Sequence, residues 1–289
     1  MHGSRSIFSG QSSRTTFQIM SDLHLEVGQQ YSTFNIDTFA DYLILAGDVG
    51  RLVDYESLLG FLKTQTDQFK RVFYVLGNHE FYGGTYDAGL QTAARLEKEP
   101  SLNGRLVLLH RTRHEVPESN ISILGCTLWS SIHSSAAEIV RSKVKDHRNI
   151  QNWTIEQHNA NFAFDEEWLR NEVEAIRNEN SEMDDPKTTR AILVITHHAP
   201  SVEGTSSPRH SNNPWTCAFA SDVISKGEWP GVKSWVFGHT HYTTEFEKDG
   251  INVVSNQRGY VIRESGGDYV GIEKNQVHSF DPKKVLVMP

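Results

Sequence analysis

Asp22 and His24 stand two residues apart, Asp48 follows Gly47, and Asn78-His79-Glu80 follows Gly77. His197-His198 precedes Ala199-Pro200, and His239 and His241 flank one threonine after Gly238. Carboxylate oxygen, amide oxygen and imidazole nitrogen, with no thiolate among them, suit Mn, Fe, Zn, Co or Ni. In extended chain, residues i and i+2 point to one side, so His239 and His241 can reach a single point. The groups together offer about seven ligands, too many for one tetrahedral ion and enough for two ions sharing a carboxylate. Each group alone has a plainer reading. Gly47-Asp48 and Gly77-Asn78 are common turn pairs, Asp22 and His24 fit a capped turn, and His197-His198 fits one core and one exposed histidine. The plainer readings do not explain why every group follows a buried apolar run.

Those runs are the elements that must position the chemistry. "TTFQIM", "YLILAG", "RVFYVLG", "AILVIT" and "SWVF" read as strands, apolar enough to be buried on both faces. In open α/β sheets ligands bind outside the carboxyl ends of the strands, so these five ends are expected to converge. Residues 55–66 and 86–99 carry helical spacing, as does the stretch 154–178, and a helix is expected over 218–226. "RLVLLH" and "EVPESNISILGCTLW" suggest strands around a turn, and residues 243–262 a hairpin turning at Asp249-Gly250. The alternation predicts an α/β layered fold with mixed sheets. Residues 1–14, serine-rich and without an acid, read as a disordered tail. Residues 15–289 read as one domain in which 130–185 form a helical insertion or cap.

The chain of 289 residues carries 28 basic and 36 acidic residues, a formal charge of −8. That balance argues against general nucleic-acid binding or attachment to a membrane surface, while a local cation can still draw an anionic substrate to one site. No apolar run approaches the ~18 residues of a membrane helix, and the N-terminus lacks the apolar segment of a secretory signal. Cys126 and Cys217 make no C-x-x-C and read as reduced thiols, so a cytoplasmic protein is expected. Gly83-Gly84 lacks the spacing and the lysine of a phosphate-binding loop. The sequence sets no oligomeric state.

The ordered set D-x-H, G-D, G-N-H-E, H-x-P and G-H-x-H, spanning residues 22–241, resembles the calcineurin-like metallophosphoesterase superfamily. "GCTLW", "THHAPS", "FASD" and "RGY" further resemble a branch of small members. The resemblance implies a four-layer αββα sandwich with a helical insertion and a two-metal centre. Asp22 and His24 resemble ligands of the first metal, Asp48 the bridging carboxylate, and Asn78 a ligand of the second metal through its amide oxygen. His239 resembles a ligand of the second metal and His241 of the first. The H-x-P pattern points to His198 as the remaining ligand and leaves His197 to line the pocket. His79 resembles the family's catalytic histidine, a donor to the leaving oxygen, and Glu80 a structural partner.

The implied reaction is hydrolysis of a phosphoester by a hydroxide held between two divalent transition ions, manganese among the candidates. A small phosphodiester is the expected substrate, with a phosphomonoester or phosphoprotein as the alternative. The phosphoprotein reading lacks the longer G-D-x-V-D-R-G pattern, since this chain reads "GDVGRLVD". Scaffold proteins of the same fold have lost ligands, whereas every ligand position here is filled. Candidates for the pocket wall are Tyr82, Trp129, His133, His147, Arg148, Arg209, His210 and Arg258, where arginines would hold an anion and aromatics a flat group.

Overall fold

The computed structural model describes residues 14–185, 188–210, 212–263, 269–271 and 280–289. All but Arg14 of the tail expected over 1–14 lies outside them. The first half of the chain runs β1 (Thr15–Met20), β2 (Tyr42–Ala46), α1 (Tyr55–Gln68), β3 (Arg71–Val75), α2 (Tyr86–Glu97) and β4 (Leu106–Leu109). The second half continues with β5 (Thr112–Glu115), β6 (Ile121–Cys126), α3 (Ala137–Lys143), α4 (Asp146–Asn149), α5 (Ile155–Ser181), β7 (Ala191–Thr196) and β8 (Val232–Phe237). It ends with β9 (Glu245–Lys248), β10 (Ile251–Ser255), β11 (Val261–Arg263), β12 (Tyr269–Gly271) and β13 (Val285–Met288).

Two mixed sheets result, in the orders β13-β1-β2-β3-β4 and β5-β6-β7-β8-β10-β9. The five motif-bearing strands are parallel to one another within each sheet: β1 to β2, β2 to β3, and β7 to β8. Alternation along each strand explains the layers. Phe17, Ile19, Ile44, Phe73 and Val75 of the first sheet meet Ile123, Leu193, Ile195 and Val236 of the second. The opposite faces bury Leu43, Leu45 and Tyr74 beneath Leu58 and Leu62 of α1, and Val194, Trp235 and Phe237 beneath Leu169, Val173 and Ile176 of α5. The order is therefore helix, sheet, sheet, helix, the α/β sandwich expected from the sequence.

The region 130–185 is helical: α3, α4 and the long α5. Helix α5 starts on a capping box in which the Thr154 hydroxyl accepts from the Gln157 N–H while the Gln157 side chain accepts from the Thr154 N–H. The helix expected over 218–226 does not form. Thr216–Ala218 make a single 3-10 turn, Ala220 bridges Ala199, and the N–H groups of Val223 and Ile224 turn to the Pro200 carbonyl. Tertiary bonding to the loop after β7 takes the donors a helix would need. The β9–β10 hairpin does turn on Asp249-Gly250, both with positive φ (52° and 76°).

Candidate metal centre

The five strand ends do converge, and three of them, after β1, β2 and β8, have an unusual backbone. Asp22, His24, Asp48, His239 and His241 all have left-handed φ, between 47° and 73°. Non-glycine residues held there cost on the order of 1–3 kcal/mol each and concentrate at functional sites. Backbone bonds enforce the turns. The Asp22 N–H donates to Gly47 O and the His24 N–H to Asp48 O, tying the end of β1 to that of β2. Both Asp22 carboxylate oxygens accept from the His239 N–H (2.9 and 3.0 Å), tying β1 to β8 across the two sheets.

Asp22, His24 and His241 form one focus. Their ligand atoms lie within 4.8 Å of one another, with His24 Nε2 2.8 Å from His241 Nε2 and His241 Nε2 3.5 Å from Asp22 Oδ1. His24 Nδ1 faces Glu26 Oε1 at 3.4 Å, which leaves Nε2 turned inward. Burial holds the His24 pKa below its usual value despite the Glu26 contact, so a lone pair is available at neutral pH.

Asp48 joins this focus to a second. Its Oδ2 lies 3.8 Å from His24 Nε2, and its Oδ1 lies 3.3 Å from His197 Nε2. The two oxygens of one buried carboxylate thus face separate groups of histidines. Asn78 presents its Oδ1 to the second focus, 3.0 Å from His197 Nε2, because its amide nitrogen is engaged by Tyr82 Oη and Asp146 Oδ1. His239 completes this side: buried, ring-stacked on Phe219, its Nε2 without a partner, and its pKa held well below the usual value by burial. These donors, facing one another at short range with His239 Nε2 unpartnered, fit a cation on each side of Asp48.

The paired histidines divide by strand parity. Leu193 and Ile195 face the other sheet, and His197 continues on their side. Its Nδ1 meets Ala46 O at 2.9 Å, which sets Nε2 toward Asp48 and Asn78, the orientation a metal-binding imidazole commonly takes. Burial disfavours a charge on His197, but Asp48 beside it outweighs that and pushes its pKa up to about 10. A metal cation would meet the same carboxylate. His198 falls on the helix side with Ile192 and Val194, against Trp129 and His158 (ring centroids 5.3 and 5.8 Å). It also stacks on His239 at 4.0 Å, and both its nitrogens lack partners. The geometry at Asp48 and Asn78 thus belongs to His197, where the sequence pattern pointed to His198.

Other residues hold this arrangement in place. Glu80, fully buried, accepts N–H bonds from Gly77, Asp48 and Val49 (2.7–3.0 Å) and the Tyr74 hydroxyl, fixing the turn that carries Asp48. Glu26 Oε1 also faces His79 Nδ1 at 2.8 Å. His79 Nε2 accordingly faces the cavity, where the Tyr260 hydroxyl lies 3.1 Å away. Burial lowers the His79 pKa, but Asp48 and Glu26 outweigh it and raise the pKa overall. Sequence reasoning missed Glu26, Asp146 and Tyr260 as site residues. Glu26 carried a signal, since it continues the every-second-residue spacing of Asp22 and His24; Asp146 carried none.

A cavity of about 390 Å³ opens over both foci. Among the proposed wall residues only Tyr82 and His210 line it; Val144, Lys145, Trp215, Phe219 and Tyr260 were not foreseen. Trp129 is buried behind His198, and Arg258 is spent on Leu23 O and the Gln30 side chain. His133, His147, Arg148 and Arg209 lie off the cavity.

A sandwich whose parallel strand ends gather aspartate, asparagine and histidine in this order defines a class of metal-dependent esterases. The sequence model of the calcineurin-like phosphoesterases matches residues 15–243, and the chain belongs to that family. It is a metal-dependent phosphoesterase, and the family works with two divalent ions. A protein of Acanthamoeba polyphaga mimivirus is 28% identical over 234 residues, covering 76% of this chain and 78% of its own. The solved structure of phosphopantetheinyl hydrolase from Mycobacterium tuberculosis superposes with a TM-score of 0.56 at 16% identity, covering 86% of this chain and 91% of that one. That likeness is one of fold. Among the described residues no helix is long and apolar enough to cross a membrane.

Proposed function

We propose that this protein hydrolyses a small phosphodiester at a centre held by Asp22, His24, Asp48, Asn78, His197, His239 and His241. The observation carrying the two-metal arrangement is Asp48, whose two oxygens face His24 on one side and His197 on the other. Bound divalent ions supply Lewis acidity to the phosphoryl oxygens and lower the pKa of the attacking water. Asp48 holds the two sides in register, and Asn78 is aimed by Asp146. Glu26 Oε1 accepts from His79 Nδ1–H and favours the protonated imidazole, so Nε2 carries the proton delivered to the leaving oxygen. The water oxygen forms a bond to phosphorus as the ester P–O bond breaks, and the alkoxide leaves as the alcohol with that proton.

Two features favour a diester over a monoester. Among the described residues no arginine lines the cavity, so no paired guanidinium bonds await the extra charged oxygen of a monoester dianion. Val144, Trp215 and Phe219 offer apolar surface suited to an ester arm. The test compares bis-p-nitrophenyl phosphate with p-nitrophenyl phosphate under added manganese. A higher kcat/KM for the diester is expected; preference for the monoester would assign a phosphomonoesterase. His79→Ala should retain metal and lose more rate on alkyl than on p-nitrophenyl leaving groups. Equal losses would remove its role as the acid.

A further inference from the structure

The cavity reaches beyond the metal centre to a wall that the hydrolysis itself leaves unused. The end of α3 and the link to α4 place Lys143, Val144 and Lys145 on it. Lys145 Nζ sits 5.3 Å over the ring of Tyr260, and that ring packs on His24 and His241 (4.3 and 4.7 Å). One ring therefore separates an ammonium group from the first metal focus. The neighbouring Asp146 does not neutralise it, because its carboxylate is turned inward to Asn78 and Tyr82. Lys63, Lys70, Lys248 and Lys284 form ion pairs, whereas among the described residues neither Lys143 nor Lys145 meets a carboxylate. Trp215 and Phe219 also line the cavity and give it apolar surface.

We infer that Lys143 and Lys145 form a second anion subsite, so that one ester arm of the substrate bears a further phosphate beside a flat or apolar group. This rests on the phosphodiesterase reading of the same centre. In a chain of net charge −8, two cations that meet no carboxylate among the described residues give the site its own attraction for a doubly anionic substrate. A lysine reads phosphate as a point charge, with little demand on geometry, and so suits an exposed rim.

The test uses a matched pair of chromogenic diesters, thymidine 5′-(p-nitrophenyl phosphate) with and without a 3′-phosphate. In the manganese-loaded protein the 3′-phosphorylated diester should have a KM roughly 10-fold lower, the size of one charge-assisted contact. In the double variant Lys143→Ala, Lys145→Ala that advantage should vanish, and Lys145→Glu should make the phosphorylated diester the poorer of the two. Calorimetry supplies a reading independent of turnover: thymidine 3′,5′-bisphosphate should bind more tightly than the 5′-monophosphate, with the gap lost in the double variant. Equal KM values in the unaltered protein, or a gap that survives both substitutions, would overturn the subsite. Failure to cleave either diester would overturn the phosphodiesterase reading instead, while the calorimetric gap would still report on the lysines.

Discussion

Gly77→Ala isolates the geometric demand of the centre in one methyl group. Gly77 needs no unusual φ, so the substitution acts by volume alone. A Cβ built there lies 2.2 Å from Asp48 Oδ1, 2.6 Å from the Asp48 nitrogen and 2.8 Å from His197 Cε1, whereas real Cβ contacts stay above 3.0 Å. Asp48 cannot simply rotate away, since Oδ1 accepts the His79 N–H and its backbone N–H is held by Glu80. Overpacking of this kind costs about 1–3 kcal/mol. Because the crowded oxygen is the one facing His197, the damage should fall on metal binding before the fold. A displacement of roughly 1 Å in a catalytic group costs about 100-fold in rate. The assay is metal content by mass spectrometry, turnover of bis-p-nitrophenyl phosphate and a thermal melt. Gly60→Ala is the control: nothing lies within 4 Å of the new methyl, and it replaces a glycine inside α1, so a stabilisation of about 0.5–1 kcal/mol is expected. If Gly77→Ala keeps full metal and full rate, the placement of Asp48 between two cations is wrong.

Three further outcomes follow from the same geometry. His197→Ala should lower bound metal more than His198→Ala, because Nε2 of His197 meets both Asp48 and Asn78; the reverse order in metal analysis would return the role to His198. Glu26→Gln removes one of the contacts that raise the pKa of His79 against the lowering effect of burial. A rate that needs protonated His79 is lost as pH rises through that pKa, so the alkaline limb of kcat should move to lower pH; an unmoved limb at equal metal content would exclude His79 as the acid. Chelation should abolish turnover and added manganese should restore it, whereas turnover that persists at zero metal content would contradict the assignment.

The sequence by itself determined the strands that carry the chemistry and the polar residues that end them. Both are local: apolar runs of five or six residues form buried strands, and a parallel sheet puts their carboxyl ends on one edge. The layered fold and the gathering of Asp22, His24, Asp48, Asn78, His239 and His241 at one edge were legible on that basis. The assignment between His197 and His198 was not. Alternation along β7 separates them onto opposite faces, but which face meets the first sheet depends on the packing of Leu193 and Ile195 against Ile44 and Val75. The helix expected after β7 failed for a related reason, since its N–H groups are claimed by Pro200 from another segment. Asp146 and Lys145 sit in an insertion with no pattern of its own, and only the docking of α4 turns one toward Asn78 and the other toward the cavity. Tertiary contacts decided those points because side-chain direction at the end of an element is set by what the element packs against, and that partner lies far away in the chain.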